Sequence, residues 1–354
     1  MAGEEFEVTT PLLENILNQA EALRAVSAHQ FGEGHPALEN AAAFLKSKKR
    51  VVLSGMGASY FGCIPFQYLL ARRGIDVKCV ETAELLYFLP RSFDENTALA
   101  LVSRSGESIE VTKLLASIDT PTLGMVNVAE STLAKQANHF LCLNSPADQL
   151  VAIQTYTATL AVFALLDAEI GGELHQARVD LQETIKILDA LIPKWVEARE
   201  GWKPFLDDAK PLYLLGRGAS LGAVSEGVLL MHETAKAAAV GMSVPQFRHG
   251  PVEVVDADFR AIVIGTQPET AELDAALAND VMKMGGQVRW LGPEVKGRKA
   301  PALCEWPLEL PARFQSIVET IPLQIAAYTK AELNGIRPGD FRWAPAITSS
   351  EAGF

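Results

Sequence analysis

Ser103-Arg104-Ser105-Gly106-Glu107-Ser108 gathers three hydroxyls around one glycine, directly behind the apolar run Ala98 to Val102. A turn that carries a buried strand into a helix presents free backbone N–H groups and the positive end of a helix dipole, which together favour an anion such as a sugar phosphate. The same serines would equally serve as turn and N-cap residues, and spacing alone leaves both readings open. Ser59 follows another glycine turn, Gly55-Met56-Gly57-Ala58-Ser59, and is a candidate to converge on the same point.

In the second half of the chain the candidates are a carboxylate and an imidazole. Glu226 and Glu233 are seven residues apart in Glu226-Gly227-Val228-Leu229-Leu230-Met231-His232-Glu233, so they share a face of an otherwise apolar helix. A carboxylate there is either exposed or used. Glu233 suits proton movement between adjacent carbons of an open-chain sugar, a step helped when burial raises its pKa. His249, in Phe247-Arg248-His249-Gly250-Pro251, sits in a loop, where an imidazole can open a hemiacetal or simply be exposed. His232 is adjacent to Glu233 and points elsewhere on the helix, so the two are not paired.

Other chemistries are disfavoured. There is no H-E-x-x-H, cysteine cluster or EF-hand loop, so no metal is expected. The G-x-G turns lack the third glycine of the dinucleotide fingerprint, so no nucleotide cofactor is expected either. A formal net charge of −12 over 354 residues argues against nucleic acid as a partner. An anionic small substrate would then need locally placed donors. Cys63, Cys79, Cys142 and Cys304 show no C-x-x-C spacing, and no secretory signal precedes them, which fits buried thiols in a cytoplasmic protein. The apolar stretch Leu150 to Leu166 is interrupted by Gln154, Thr155, Thr157 and Thr159, and reads as a core helix rather than a membrane span.

The elements that must position these residues occur twice. Gly216-Arg217-Gly218-Ala219-Ser220 repeats the first glycine turn 161 positions later, again behind an apolar run, Leu212 to Leu215. Strands are expected at Val51–Leu53, Val77–Val80, Ala98–Val102, Leu123–Val126 and Phe140–Leu143, then at Leu212–Leu215, Ala237–Val240, Ala261–Ile264, Val288–Leu291 and Leu308–Leu310. Alternation with helical segments predicts an α/β protein of two doubly wound, five-stranded parallel sheets in tandem. Residues 9–28 should form one leading amphipathic helix, of a kind that often packs on a partner subunit. The expected organisation is a first domain over 1–171, a helical connection over 172–205 in which Leu181, Ile185, Ile187, Leu188 and Leu191 recur at helical intervals before Pro193, a second domain over 206–337, and a tail over 338–354 lying across the active site.

With Gly57-Ala58-Ser59, the serine turn, Gly216-Arg217-Gly218 and Arg248-His249-Gly250-Pro251 in order, the chain resembles the sugar isomerase (SIS) family from about residue 10 to 350. It is most similar to the tandem-SIS isomerase half of glucosamine-6-phosphate synthase and to stand-alone phosphosugar isomerases, deaminases and fructosamine-phosphate deglycases. The resemblance implies that Ser59, Ser103, Ser105 and Ser108 bind phosphate, with Gly57 and Arg104 beside them and Ala152 in the ring-binding segment. It implies that Glu233 transfers a proton between C1 and C2, and that His249 opens the ring from a neighbouring subunit of a homodimer. The implied reaction is aldose–ketose isomerisation of a hexose or amino-hexose 6-phosphate, with or without deamination. Glu253, four residues beyond His249, resembles the deglycase pattern. Ala58, Arg104 and the segment Leu150 to Gln154 depart from the usual family residues, and Ala346 stands where relatives carry a tail lysine, which favours a sugar-phosphate sensor as a third reading. No glutaminase domain with an N-terminal catalytic cysteine precedes the repeats, so a complete glutamine-dependent synthase is not expected.

Overall fold

A computed structural model describes residues 10–89, 93–207, 210–345 and 347–351. The outer ends of the expected domains, and Ala346, lie outside them.

The first half contains helices α1 (Pro11–Leu17), α2 (Gln19–Gln30) and α3 (His35–Lys46), then strand β1 (Arg50–Gly55), α4 (Ala58–Arg72), β2 (Asp76–Cys79), α5 (Thr82–Tyr87) and β3 (Thr97–Val102). It continues through α6 (Ile109–Ser117), β4 (Thr122–Val126), α7 (Thr132–Gln136), β5 (His139–Cys142) and α8 (Gln154–Gly171). The long helix α9 (Leu174–Ala198) and the short α10 (Lys203–Leu206) lead to the second half. There β6 (Leu212–Gly216), α11 (Leu221–Ala235), β7 (Ala239–Ser243), α12 (Val244–Arg248), β8 (Arg260–Ile264), α13 (Ala271–Lys283), β9 (Gln287–Leu291) and α14 (Gln315–Leu333) complete the chain.

Both sheets are parallel, ordered β2-β1-β3-β4-β5 and β7-β6-β8-β9. The second therefore has four strands where five were expected. Leu308 lies between Pro307 and Pro311 and is fully exposed, so its side chain has no core to enter. The edge of β9 is met instead by a bridge between Trp290 and Ala302, in which Trp290 N donates to Pro301 O and Leu303 N donates to Trp290 O. β7 also starts later than expected. Lys236 takes a left-handed conformation at the end of α11 and Ala237 N bonds back to Met231 O, so Ala237 belongs to the helix exit.

The single leading helix is two, broken at Asn18, whose side-chain amide donates to Gln154 Oε1 at 2.7 Å. These helices pack on the chain's own α8, α9 and α14. Helix α9 runs on through Pro193. Helix α8 is buried on nearly every side, and its threonine hydroxyls bond within the helix or to Asp148. No described helix is long and apolar enough to cross a membrane. The four cysteines are unbridged, but only Cys63 is buried; the other three are partly exposed. One apolar core runs from the first sheet through α8, α11 and α14 to the second, and α4 meets α11 closely at Pro65 and Gly222, where any larger residue than glycine would strike the proline ring. That junction brings the C-terminal end of α11 to the C-terminal edge of the first sheet.

Candidate active site

At the exit of β1 the backbone of Gly57 has φ +51°, a left-handed conformation that favours glycine and swings the chain into α4. Ser59 stands in the first turn of that helix. Beside it β3 ends at Val102, directly paired with Gly55, and releases the serine turn toward α6. Gly106 has φ +70°, and a Cβ there would collide with Ser131 Oγ, so glycine holds the turn against α7.

Ser103 Oγ accepts from Gly106 N at 3.1 Å and Ser105 Oγ from Glu107 N at 3.2 Å, while Ser103 and Ser108 hydroxyls lie 3.3 Å apart. The serines thus serve as turn residues, yet a hydroxyl that accepts an N–H keeps its own proton to donate to an anion. The turn role is the one observed, and it is compatible with the other. Glu107 turns away and caps α7 through Thr132 N and Thr132 Oγ1. Arg104 reaches across to Leu150 O at 3.0 Å. It fixes the irregular segment that carries Ala152, which Asp148 holds from the other side by accepting from Ile153 N, Gln154 N and Thr155 N.

Gly57, Ser59, Ser103, Arg104, Ser105, Ser108, Ala152 and Glu233 line one cavity of about 240 Å³. Glu233 enters it from the last turn of α11, beside Leu229. Burial pushes the Glu233 carboxyl up to about 7, against the downward pull of Lys236 and Arg104. A group poised there exchanges a proton readily in either direction. Lys236 Nζ donates to Glu233 O and to Asp340 O, and stacks 5.6 Å from the Phe341 ring, tying α11 to the tail. The tail residues Phe341, Ala344, Pro345, Ile347 and Thr348 form the remaining wall. Thr348 O accepts from Ile109 N at 3.1 Å, and Glu351 bonds Tyr87 Oη and Lys113 Nζ. Beyond Glu233 lies a wider space of about 690 Å³ lined by His232, Lys236, Phe341, Arg342, Trp343 and Ala344.

His249 is not brought to this cavity. It ends α12, is exposed, and lines neither space; Glu253 is exposed nearby. Glu226 lies two turns before Glu233 but is fully buried, with Oε2 lacking a hydrogen-bond partner, and burial together with Glu233 and Asp148 drives its carboxyl well above the usual range. Asp148, Leu229 and Thr348 were not singled out from sequence. Only Asp148 left a trace there, as a lone carboxylate seven residues before the first of three buried threonines, Thr155, Thr157 and Thr159.

A family model described as "SIS domain" matches residues 44–167 and 205–291. The chain belongs to the SIS-domain family. The first matched span of this SIS chain holds both glycine and serine turns of the cavity, and the second holds Glu233 and His249. Curated relatives include a glutamine–fructose-6-phosphate aminotransferase (isomerizing) of Pyrococcus horikoshii, 26% identical over 92% of this chain and 55% of that protein. One of the same name from Legionella pneumophila (strain Paris) is 26% identical over 94% of this chain and 54% of its own length. The SIS chain spans about half the length of these relatives. Among solved structures, the C-terminal domain of glucosamine-fructose-6-phosphate aminotransferase from Francisella tularensis superposes with a TM-score of 0.80 at 20% identity, covering 95% of this chain and all of that one. Tagatose-6-phosphate ketose/aldose isomerase from Escherichia coli gives 0.78 at 21% identity, covering 93% and 94%. Glucosamine-6-phosphate deaminase from Thermotoga maritima gives 0.75 at 19% identity, covering 96% and 99%. At these identities the likeness establishes the shared fold.

Proposed function

We propose that the protein is a sugar-phosphate isomerase that interconverts aldose and ketose forms of a hexose or amino-hexose 6-phosphate, with deamination where C2 carries nitrogen. The observation that carries this reading is the presence of a half-buried carboxyl of pKa about 7 in the same cavity as four serines and a left-handed glycine turn. The serine hydroxyls and the N-terminal ends of α4 and α6 hold the phosphate, which sets the carbon chain across Glu233. The Glu233 carboxylate takes the proton from one of C1 and C2, leaving an enediol or enolamine, and returns it to the other while the heteroatom proton moves the opposite way; where C2 carries nitrogen, solvent water then hydrolyses the C2 imine, forming the ketone and releasing ammonia. His249 protonates the ring oxygen and opens the hemiacetal. Because His249 is exposed and away from its own chain's cavity, it acts from a second copy in a homodimer. The net charge of −12 and the free cysteines fit a cytoplasmic enzyme without nucleic-acid partners.

A second reading, cleavage of fructosamine 6-phosphates, draws support from the 690 Å³ space beyond Glu233, whose Lys236 and Arg342 suit the carboxylate of an aminoacyl group. The test is a panel of glucosamine, galactosamine, fructose and fructosamine 6-phosphates followed by NMR in deuterated water. Solvent deuterium at C1 or C2 is the expected result. Ammonia release identifies deamination and amino-acid release identifies the deglycase. Binding without exchange or product contradicts catalysis and leaves a sensor.

A further inference from the structure

The second glycine turn reproduces the geometry of the first. Gly218 has φ +54° where Gly57 has +51°, and Ser220 occupies the place of Ser59. Gly55 pairs with Val102 in the first sheet, and Leu215 pairs with Val263 in the second, which sets Gly216 level with Ile264. The counterparts of Ser103, Arg104 and Ser105 are therefore Gly265, Thr266 and Gln267.

Hydroxyl and amide donors converge there as well, but the space between them is taken. Glu319, from the buried face of α14, is wholly buried, and its Oε1 accepts from Ser220 Oγ at 2.9 Å, from Gln315 Nε2 at 3.0 Å and from Thr266 Oγ1. Gln267 Nε2 supports the arrangement by donating to Ser220 Oγ at 3.0 Å. Three donors converge on one carboxyl oxygen and favour its charged form, while burial outweighs them and holds the group above the usual carboxylate range; Oε2 is buried and has no partner. Next to this point a cavity of about 110 Å³, lined in part by Ala219, Gln267, Gln315 and Arg313, leads toward solvent.

We propose that the second glycine turn is an anion seat filled by the chain's own Glu319 carboxylate, so that a sugar phosphate binds once per chain, and that removing the carboxylate opens the seat to inorganic phosphate. Counting one phosphate in the native chain rests on the reading of the first turn as the substrate's phosphate site. The Glu319 side chain is a permanent internal ligand that docks α14 onto the second sheet through the turn's donors.

Equilibrium dialysis with inorganic phosphate on the purified full chain tests this. The native protein should bind one phosphate per chain, lost in the Ser103→Ala/Ser105→Ala double variant. Glu319→Ala should bind one more, and should keep one when the double variant is built into it. If the native chain binds none and Glu319→Ala binds one, the seat stands and only the first-turn reading falls. Two phosphates on the native chain, or no added phosphate on a folded Glu319→Ala, overturn the proposal. Should that variant fold poorly, its Tm is compared in phosphate and in chloride of equal ionic strength. A rise of at least about 3 °C beyond that of the native chain is expected for a ligand held in the folded state; no such rise overturns the proposal.

Discussion

Glu233 is placed by a conflict between two forces. Removal from water favours the neutral carboxyl, and the cations Lys236 and Arg104 favour the charged one; burial wins, leaving the group near pKa 7. As a base it must be ionised, so kcat/KM should rise about tenfold per pH unit below 7 and level off above it. Lys236→Met removes the larger of the opposing pulls and should move that limb to higher pH, as a pH–rate profile of the variant would reveal. A limb that stays in place would mean that Lys236 acts only as a tether to the tail.

At the scale of elements, the proposed phosphate site rests on two strand-to-helix turns held in left-handed glycine conformations. Gly106→Ala adds a strain of about 1 kcal/mol at φ +70° and drives a methyl into Ser131, so the serine turn must shift. The expected outcome is a KM for sugar phosphate at least tenfold higher with far-UV circular dichroism unchanged; an unaltered KM would detach the turn from substrate binding. These turns were legible in the sequence because a strand, a glycine pair and a hydroxyl cluster are contiguous signals. Their companions were not. The fifth strand at Leu308 failed because two flanking prolines and the lack of a core for Leu308 outweigh a short apolar run. Glu319 reaches Thr266 and Ser220 across 53 and 99 residues, a convergence that only the packing of α14 creates.

For the whole molecule, the continuous core from the first sheet to the second explains how a carboxyl from one half meets a serine turn from the other. What one chain does not bring there is His249, which predicts a shared site. Glu233→Gln and His249→Ala, each inactive alone, should recover about a quarter of native activity when unfolded together in equal amounts and refolded, since half the dimers then hold one intact site of two. No recovery would confine His249 to its own chain or remove it from the reaction. The central claim is narrower: Glu233 moves a proton between neighbouring carbons of a bound sugar phosphate. Its most direct test is proton NMR of the turned-over sugar phosphate in deuterated water with native protein and Glu233→Gln side by side. The account predicts deuterium at C1 or C2 with the native chain and exchange slowed by about 10²–10⁴-fold in the variant, with phosphate affinity retained. Equal exchange in both would contradict it.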